Sequence, residues 1–564
     1  MKLIECVPNF SEGRDMAVLE KIAAAIKEVN GVTLLDMDPG ADTNRTVFTF
    51  IGSPDGIREA AFRAIKKGSE LIDMTKHSGA HARMGATDVC PFIPVSGVTM
   101  EECVKISEEV GERVARELHI PVYLYEYSAK CEERTNLANI REGEYEGLSE
   151  KLKDPRWKPD FGEAVFNPGS GATVMGAREF LIAYNINLNT TDAKMAKSIA
   201  NTIREKGKVK RDAAGKIVKD SEGNKVMEPG LFNHCKATGW YIDQYKQAQV
   251  TMNLTNYKVT PPHLVFDAVC DLASKMGLRV TGSELVGLIP LEAMLMAGTY
   301  YLEKQGKSAG IPDSDIIRTA IQSLGLEDIS PFEPKKKIIE YYISDRPDAL
   351  TEMTIKGFCD ELSTDSPAPG GGSVAALCGA LSAALSAMVS NLTYGKKGYT
   401  QHNKTMDEIG RKGQELKKEF VYAIDKDTDA FNELMAVIKT KAKTPEEEAE
   451  KAARLEEATK KATLVPMETL ELTIGAMEIA LTAAKLGNKN SVSDAGVAAL
   501  CAQAAAKSAY YNVVINLQNI SDESFKKEIG AKAEEILAKA YKMSDEVQTA
   551  VDVVLGIKQT AGIA

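Results

Sequence analysis

The sequence predicts an α/β (α+β) region of two subdomains, followed by an all-α helical-bundle domain. Two observations carry this. Through the first 342 residues, short β-rich runs alternate with stretches whose apolar residues recur at helical spacing, as layered α/β packing requires. From 353 to 564 strand alternation is almost gone and Ala, Lys, Glu and Leu dominate. There, no proline falls between Pro369 and Pro445, and only Pro466 follows. Long amphipathic stretches of that composition pack as a helix bundle. The expected limits are 1–180 and 181–342 for the two α/β subdomains, 343–352 for a linker, and 353–564 for the helical domain.

The elements follow in order. LIECVPNF, VTLLDMD and TVFTFIG read as strands ended by Gly, Pro or Asp, with MAVLEKIAAAIKEV and IREAAFRAIKKGSELI as helices around them. CPFIPV and IPVYLYEY continue the strands on either side of a helix starting near Met100. A second unit begins near 180 with the strand-like REFLIAYNINLN and a helix, TTDAKMAKSIANTIRE, for which Thr190 or Thr191 is a suitable cap. Residues 205–232 are polar, carry a DSEGN turn signal and read as an exposed hairpin insertion. QAQVTMNLTNY is again a strand, PPHLVFDAVCDLASKMG a helix, and VTGSELVGLIPLEAMLMAG passes from strand to helix; the unit ends near IIEYYI (338–343). Helices are then expected over 351–364, 372–394, 403–440, 446–485, 493–518 and 522–556.

At 564 residues the chain has room for roughly three or four folding units, and its hydrophobic fraction of 44% lets each bury a core. A formal charge of -11 argues against nucleic-acid partners and anionic membrane surfaces. Nine cysteines, scattered and without a C-x-x-C pair, fit a reduced cytoplasmic compartment. MKLIECVPNFSEGR has no long apolar region of the signal-peptide kind. The apolar run 374–389 falls short of the ~20 residues that span a bilayer. A soluble protein is expected.

HSGAHARMG (77–85) places His77 and His81 four residues apart, the separation of two metal ligands on a helix. Gly79 and Gly85 break any helix there, and no acidic third ligand stands close, so metal ligation is the weakest reading. A solvated or structural loop histidine is the common alternative. Against it stands a Gly-rich loop between a helix and a strand, where a neutral imidazole can shuttle protons and Arg83 can grip a carboxylate with two hydrogen bonds. LLDMDPGADTNRT (34–46) offers two readings of equal weight. One is a turn whose Asp and Asn satisfy backbone amides; in the other Asp38 orients an amine and Arg45, beside Asn44, holds an anion.

The loop 160–178 fails the dinucleotide fingerprint, because valine stands at 174, and it has no Gly-Lys-Ser/Thr. It is either a close backbone approach to a flat heterocycle or a plain connector. SPAPGGGSVAAL sends three glycines into a helix start, which suits either an anion at the free amides or close packing of small residues. In AIDKDTDAF, Asp425 and Asp429 share a helix face and Asp427 lies on another side.

Longer stretches carry a resemblance. IECVPNFSEGRD, LLDMDPGADTNRTVFTFIG, LIDMTKHSGAHARMGATDVCPFIPVSGVTM and IREGEYEGL closely resemble glutamate formimidoyltransferases. APGGGSVAA, MVSNLTYGKK, the D-x-D-x-x-A-F of Asp425 to Phe431, and YYNVVINLQNISDESF resemble formimidoyltetrahydrofolate cyclodeaminases. The order of the two, over nearly the whole chain, resembles the bifunctional family of histidine degradation. The resemblance implies transfer of a formimino group from N-formimidoyl-L-glutamate to N5 of tetrahydrofolate, then cyclisation to 5,10-methenyltetrahydrofolate with release of ammonia. Tetrahydrofolate is then the co-substrate, with or without a polyglutamate tail, and no metal is implied.

By the same resemblance His81, not His77, is the catalytic base and acid of transfer, which Asp38 can orient, while Asn44, Arg45 and Arg83 are substrate contacts. Gly162, Glu163, Ala164, Val165, Phe166, Asn167, Pro168, Gly169, Ser170 and Gly171 match the folate-binding segment. Asp427 matches the acid of the cyclodeaminase, with Asp425 as its close rival. Gly370, Gly371, Gly372 and Ser373 are candidates for the folate's anionic tail, and Asp494 is a further candidate. The family implies a homo-oligomer with dimerisation through the helical domain, and the insertion at 205–232 looks longer than the corresponding connection in compact members. A rival reading keeps a formimidoyl- or formyltransferase and makes the helical domain an oligomerisation scaffold only.

Overall fold

The computed structural model describes residues 2–40, 44–79, 82–212, 215–243, 245–343 and 349–557. Contacts divide the chain into two compact units, Met1–Ala293 with Asp328–Ile343, and Met294–Glu327 with Ser344–Ala564.

One sheet of the first unit holds β1 (Leu3–Cys6), β2 (Asn9–Phe10), β3 (Val32–Gly40), β4 (Arg45–Gly52), β5 (Thr87–Ser96), β6 (Val122–Leu124) and β7 (Thr173–Ala177). β1 and β2 are one sequence run, and both lie between β4 and β5, antiparallel to each. The run breaks at Pro8, which has no N–H for the ladder, although its carbonyl still accepts from Phe48 N at 3.0 Å. β3 closes one edge on β4; at the other, β7 runs parallel to β5 and β6.

Three amphipathic helices cover one face: α1 (Met16–Lys27), α2 (Pro54–Leu71) and α3 (Met100–Leu118). Asp15, Ser53 and Thr99 start them by accepting first-turn amides, and Thr99 with Glu102 completes a capping box. Leu19, Ile22, Ile26, Ile57, Ile65, Ile106 and Val110 pack there against Ile4, Phe10, Phe48, Phe50 and Phe92. The opposite face carries α4 (Leu137–Arg141) and α5 (Glu144–Lys151), whose Ile140 and Leu148 pack on Val89, Tyr123 and Val174.

Glu5 is buried in β1, out of register with the Ile4–Cys6 face. Burial pushes its carboxyl up to about 7, against the pull of Arg178 and with a smaller push from Glu340. A carboxyl raised in the folded state binds more protons than its unfolded counterpart. Its contribution is therefore fully present below pH 4.5 and is lost as pH rises through about 7. Glu5→Gln is expected to stabilise the chain at pH 8 relative to wild type by on the order of 3 kcal/mol, and to change little at pH 4.5. Urea denaturation at the two pH values checks this; an equal effect at both would contradict it.

The second subdomain contains β8 (Ile182–Leu188), α6 (Ala193–Ile203), β9 (Lys208–Val209), β10 (Met227–Glu228), β11 (Cys235–Ile242), β12 (Gln247–Leu254), α7 (Pro262–Lys275) and β13 (Val280–Val286). Its sheet runs β11-β12-β8-β13, antiparallel throughout. The cap of α6 is Asp192, which accepts from Lys194 N at 2.8 Å, rather than Thr190 or Thr191; Thr190 instead accepts from the Asp192 amide. β9 and β10 form the base of the 205–232 hairpin, of which residues 213 and 214 lie outside the described residues.

The division between units falls within α8 (Leu291–Lys304). α9 (Asp313–Leu324) belongs to the second unit, whereas α10 (Pro334–Lys337) and α11 (Ile339–Ile343) belong to the first. Residues 344–348 of the expected linker lie outside the described residues. The second unit continues with α12 (Ile355–Leu362), α13 (Gly371–Thr393), α14 (Asn403–Lys439), α15 (Pro445–Leu486), α16 (Val492–Leu517) and α17 (Glu523–Leu555), the all-α bundle the sequence predicts.

In the bundle α13 packs on α14 and α16, α15 on α14 and α16, and α17 against α15 and α16. α15 continues through the buried Pro466, which removes one ladder hydrogen bond without ending the helix. α13 extends the apolar run to 23 residues, long and apolar enough by length and composition to cross a bilayer. Its small residues Ala375, Ala376, Gly379, Ala383 and Ala387 are buried, and Phe420 of α14 leaves no room for a side chain at Gly379.

Candidate active sites

In the first unit, the segment after α2 makes one 3-10 turn, Met74–Lys76, capped by Asp73, and then enters the HSGAHARMG loop. His81, the expected catalytic residue, lies outside the described residues. Its neighbours form a closed network. His77 Nε2 stands 2.9 Å from the Asn44 carbonyl oxygen, and Nδ1 accepts from Arg83 Nε at 3.2 Å. With Nδ1 accepting from the guanidinium, Nε2 is the nitrogen that donates to the Asn44 carbonyl. Asn44, buried and with φ of 48°, donates to Ser78 O at 3.0 Å and accepts from Gly13 N at 3.0 Å. One side chain thus joins three of the stretches that carry the resemblance. Asparagine tolerates this left-handed backbone better than most residues, which fits Asn44 to its place beside the loop.

Arg83 does not present a free guanidinium. It donates to Glu144 Oε2 at 3.0 Å and to Glu146 at 2.9 and 2.6 Å. His77, Ser78, Gly79, Arg83, Gly143, Glu144 and Glu146 line an open cavity of about 510 Å³. Arg45 is likewise engaged, through Asp88 at 2.5 Å and Asn9 at 2.7 and 3.1 Å. Asp38 is exposed on β3, where the register sets it opposite Val47 and so in line with Asn9 across the sheet.

The loop 162–171 packs directly on this segment. Met74 N donates to Gly169 O and Ala86 N to Ser170 O, both at 2.9 Å, and Gly85 bridges Gly171. Tyr145 of α5 donates to Pro168 O at 2.6 Å and packs its ring on Phe166. Asn167 organises the turn, accepting from Ser170 N and Gly171 N, while Gly162, Glu163, Ala164 and Val165 are exposed. A Cβ on Gly85 would lie 2.3 Å from Ser170 O, and one on Gly171 2.2 Å from Met84 O. Gly85→Ala must therefore separate the two loops. It is expected to cost about 1–3 kcal/mol in denaturant unfolding and to abolish the first unit's activity. Wild-type stability in this variant would contradict the close approach.

A larger cavity of about 770 Å³, also in the first unit, is lined by Tyr125, Arg178, Glu179, His234 and Lys236 among others, drawn from both subdomains. None of the site residues expected from sequence lines it.

In the second unit the three glycines start α13, with Gly370 as N-cap. The Asp427 carboxylate of α14 lies against them: a Cβ on Gly372 would meet Asp427 Oδ1 at 2.1 Å. Ser373, fully buried, donates to Ile424 O at 3.0 Å and lies 3.4 Å from Asp427 Oδ2. Burial raises the Asp427 carboxyl above its ordinary range, overriding the opposite pull of the Ser373 hydroxyl and amide. Asp425 is occupied elsewhere, accepting from Leu350 N and Thr351 Oγ1 at 2.8 Å each. Asn512 of α16 borders Gly371. Asp494 is 18 residues away on that same helix, about 27 Å along the axis, so one chain does not bring it to Asp427.

Sequence reasoning missed Asn9, Asp88, Arg141, Glu144, Glu146 and Asn512. Only a buried charge in a strand, Asp88 in ATDVC, was a usable signal. Among the described residues, no group of three or more His, Cys, Asp or Glu side chains is placed to hold a metal ion.

Three family models match. Residues 3–178 match the formiminotransferase domain, N-terminal subdomain; residues 183–344 the formiminotransferase domain; and residues 354–535 the formiminotransferase-cyclodeaminase model. A formimidoyltransferase-cyclodeaminase of Dictyostelium discoideum is 43% identical over 549 residues, 97% of this chain and 98% of that protein. One of Mus musculus is 41% identical over 541 residues, 96% of this chain and 97% of that protein. A glutamate formimidoyltransferase of Streptococcus pyogenes serotype M1 is 43% identical over 302 residues, 54% of this chain and 94% of that protein.

Proposed function

The chain belongs to the formiminotransferase-cyclodeaminase family, and from that premise we propose how its residues divide two reactions. It is a bifunctional folate enzyme: it transfers the formimino group of N-formimidoyl-L-glutamate to N5 of tetrahydrofolate, then cyclises the product to 5,10-methenyltetrahydrofolate with release of ammonia.

In the transfer, N5 attacks the formimino carbon and the bond from that carbon to the glutamate nitrogen breaks. His81 takes the N5 proton and returns one to the departing nitrogen. His77 and the Asn44 network support the loop around it, and the exposed backbone of 162–165 offers the folate a close approach. In the cyclisation N10 attacks the same carbon, and the formimino nitrogen leaves as ammonia once protonated. The observation that carries this half is Asp427, a carboxyl raised by burial and wedged against Gly372. An acid that keeps its proton to higher pH than an ordinary aspartate suits the protonation that the leaving nitrogen needs. Asp425, tied to Leu350 and Thr351, is a structural residue in this reading.

The reading gives no role to a metal: side-chain acids and bases supply the proton transfers that accompany the making and breaking of the C–N bonds. It places the enzyme in histidine degradation; a cytoplasmic location is supported by nine free thiols, including Cys6 and Cys90, whose sulfurs stand 3.5 Å apart unbonded. A homo-oligomer through the helical domain is supported by apolar side chains left open on two antiparallel neighbours, α13 and α16. Leu381, Met388 and Leu392 on one and Val497, Leu500, Tyr511 and Ile515 on the other are each more than a third exposed. Leu381→Asp with Leu500→Asp is expected to halve the solution mass seen by light scattering; an unchanged mass would remove this face as the interface.

The assignment of cyclisation is tested with 5-formimidoyltetrahydrofolate supplied directly. Ammonia and the near-UV absorbance of the 5,10-methenyl product should rise together, and a supplied substrate that yields neither would contradict it.

A further inference from the structure

Asp88 is fully buried at the start of β5 and faces two guanidiniums, Arg45 Nη1 and Arg141 Nη2, each at 2.5 Å from Oδ2. Its Oδ1 accepts from Met84 N at 3.0 Å, which ties the pair to the HSGAHARMG loop. One carboxylate against two arginines leaves one positive charge unbalanced. Arg45 has all three nitrogens engaged, by Asp88 and Asn9. Arg141 uses only Nε, at 3.4 Å, and Nη2; among the described residues its Nη1 has no partner, and its side chain is 15% exposed.

The surroundings hold Arg141 in place. It ends α4, two residues before Gly143, which lines the cavity of His77 and Arg83. The Lys151 ammonium donates to the carbonyls of Asn139, Ile140 and Glu142 at 2.7–3.1 Å, clamping the segment on both sides of Arg141. Gly143 and Glu144 then turn the chain with φ of 86° and 54°. Arg83, which pairs with this same Glu144, carries the opposite imbalance, one guanidinium between two carboxylates.

We propose that Arg141 binds a carboxylate of the formimino donor through Nη1 and sets the preference for an acidic amino acid, a role neither Arg83 nor Arg45 is free to take. The donor suits the two imbalances: its formamidine is cationic at neutral pH and its carboxylates are anionic. A rigid guanidinium with an open edge is the group that recognises a carboxylate by shape as well as charge. This rests on the transferase assignment.

The test is steady-state transfer by the full chain and by Arg141→Gln and Arg141→Lys. The donors are N-formimidoyl-L-glutamate and its two mono-amides, N-formimidoyl-L-glutamine and N-formimidoyl-L-isoglutamine. Arg141→Gln is expected to raise KM for the glutamate donor about 10- to 100-fold, with kcat and KM for tetrahydrofolate changed by less than about threefold. With one of the amides, wild type and Arg141→Gln should perform alike, and Arg141→Lys should recover part of the loss with the acid. An unchanged KM for tetrahydrofolate in the same preparations reports that the transferase unit of each variant is folded. An equal loss on the acid and both amides would make Arg141 a support of the loop and overturn the proposal, as would an unchanged KM. A wild-type chain that transfers from none of the donors would instead bring down the transferase assignment, and the proposal with it.

Discussion

Asp427→Asn is expected to slow ammonia release from 5-formimidoyltetrahydrofolate by about 10²–10⁴-fold while leaving formimino transfer at its wild-type rate. The amide fills the same space beside Gly372 and can accept from Ser373, so packing is kept and the proton is lost. The pH profile adds an independent check. Burial holds the Asp427 carboxyl above its ordinary range, so its acid form persists to higher pH than an exposed aspartate's and is lost as pH rises through that raised value. Wild-type cyclisation should fall along that alkaline limb, and the residual rate of Asp427→Asn should lack it. Asp425→Asn, by contrast, should weaken the tie to Leu350 and Thr351 and act on stability before it acts on rate. A large rate loss in Asp425→Asn with a silent Asp427→Asn would reverse the assignment.

His81→Ala is expected to abolish transfer, again by about 10²–10⁴-fold in kcat, with cyclisation of supplied 5-formimidoyltetrahydrofolate untouched. His77→Ala distinguishes the two histidines. It removes the bonds to Asn44 O and Arg83 Nε and should loosen the loop, lowering stability and raising KM for both substrates more than it lowers kcat. If His77→Ala were the variant that lost kcat and His81→Ala kept it, the wrong imidazole has been assigned the proton.

Much of the architecture was legible because it rests on local chemistry. Alternation marked β1, β3, β4, β5, β8 and β12, and the bundle helices run within a few residues of their expected limits. The cap of α6 was misplaced by one or two residues, because Thr190, Thr191 and Asp192 can all accept an amide and only the local backbone selects Asp192. Sheet order was not legible, since nothing in LIECVPNF says that both halves lie between β4 and β5.

Within the site, the glycine-rich loops 77–85 and 162–171 stood out as loops, but their mutual approach at Gly85 and Gly171 spans 86 residues of sequence. Arg83 and Arg45 looked like free cations because their partners, Glu144, Glu146 and Asp88, are set by tertiary contact. Asp425 and Asp427 are the same residue type two positions apart on one helix. Only the neighbouring elements, Leu350 beside one and Gly372 beside the other, separate a structural carboxylate from a buried acid.

The central claim is that one chain performs both reactions. The purified protein, given N-formimidoyl-L-glutamate and tetrahydrofolate, should yield glutamate, ammonia and 5,10-methenyltetrahydrofolate in equal amounts. Glutamate formed with 5-formimidoyltetrahydrofolate accumulating and no ammonia would contradict it, leaving a transferase with a helical scaffold.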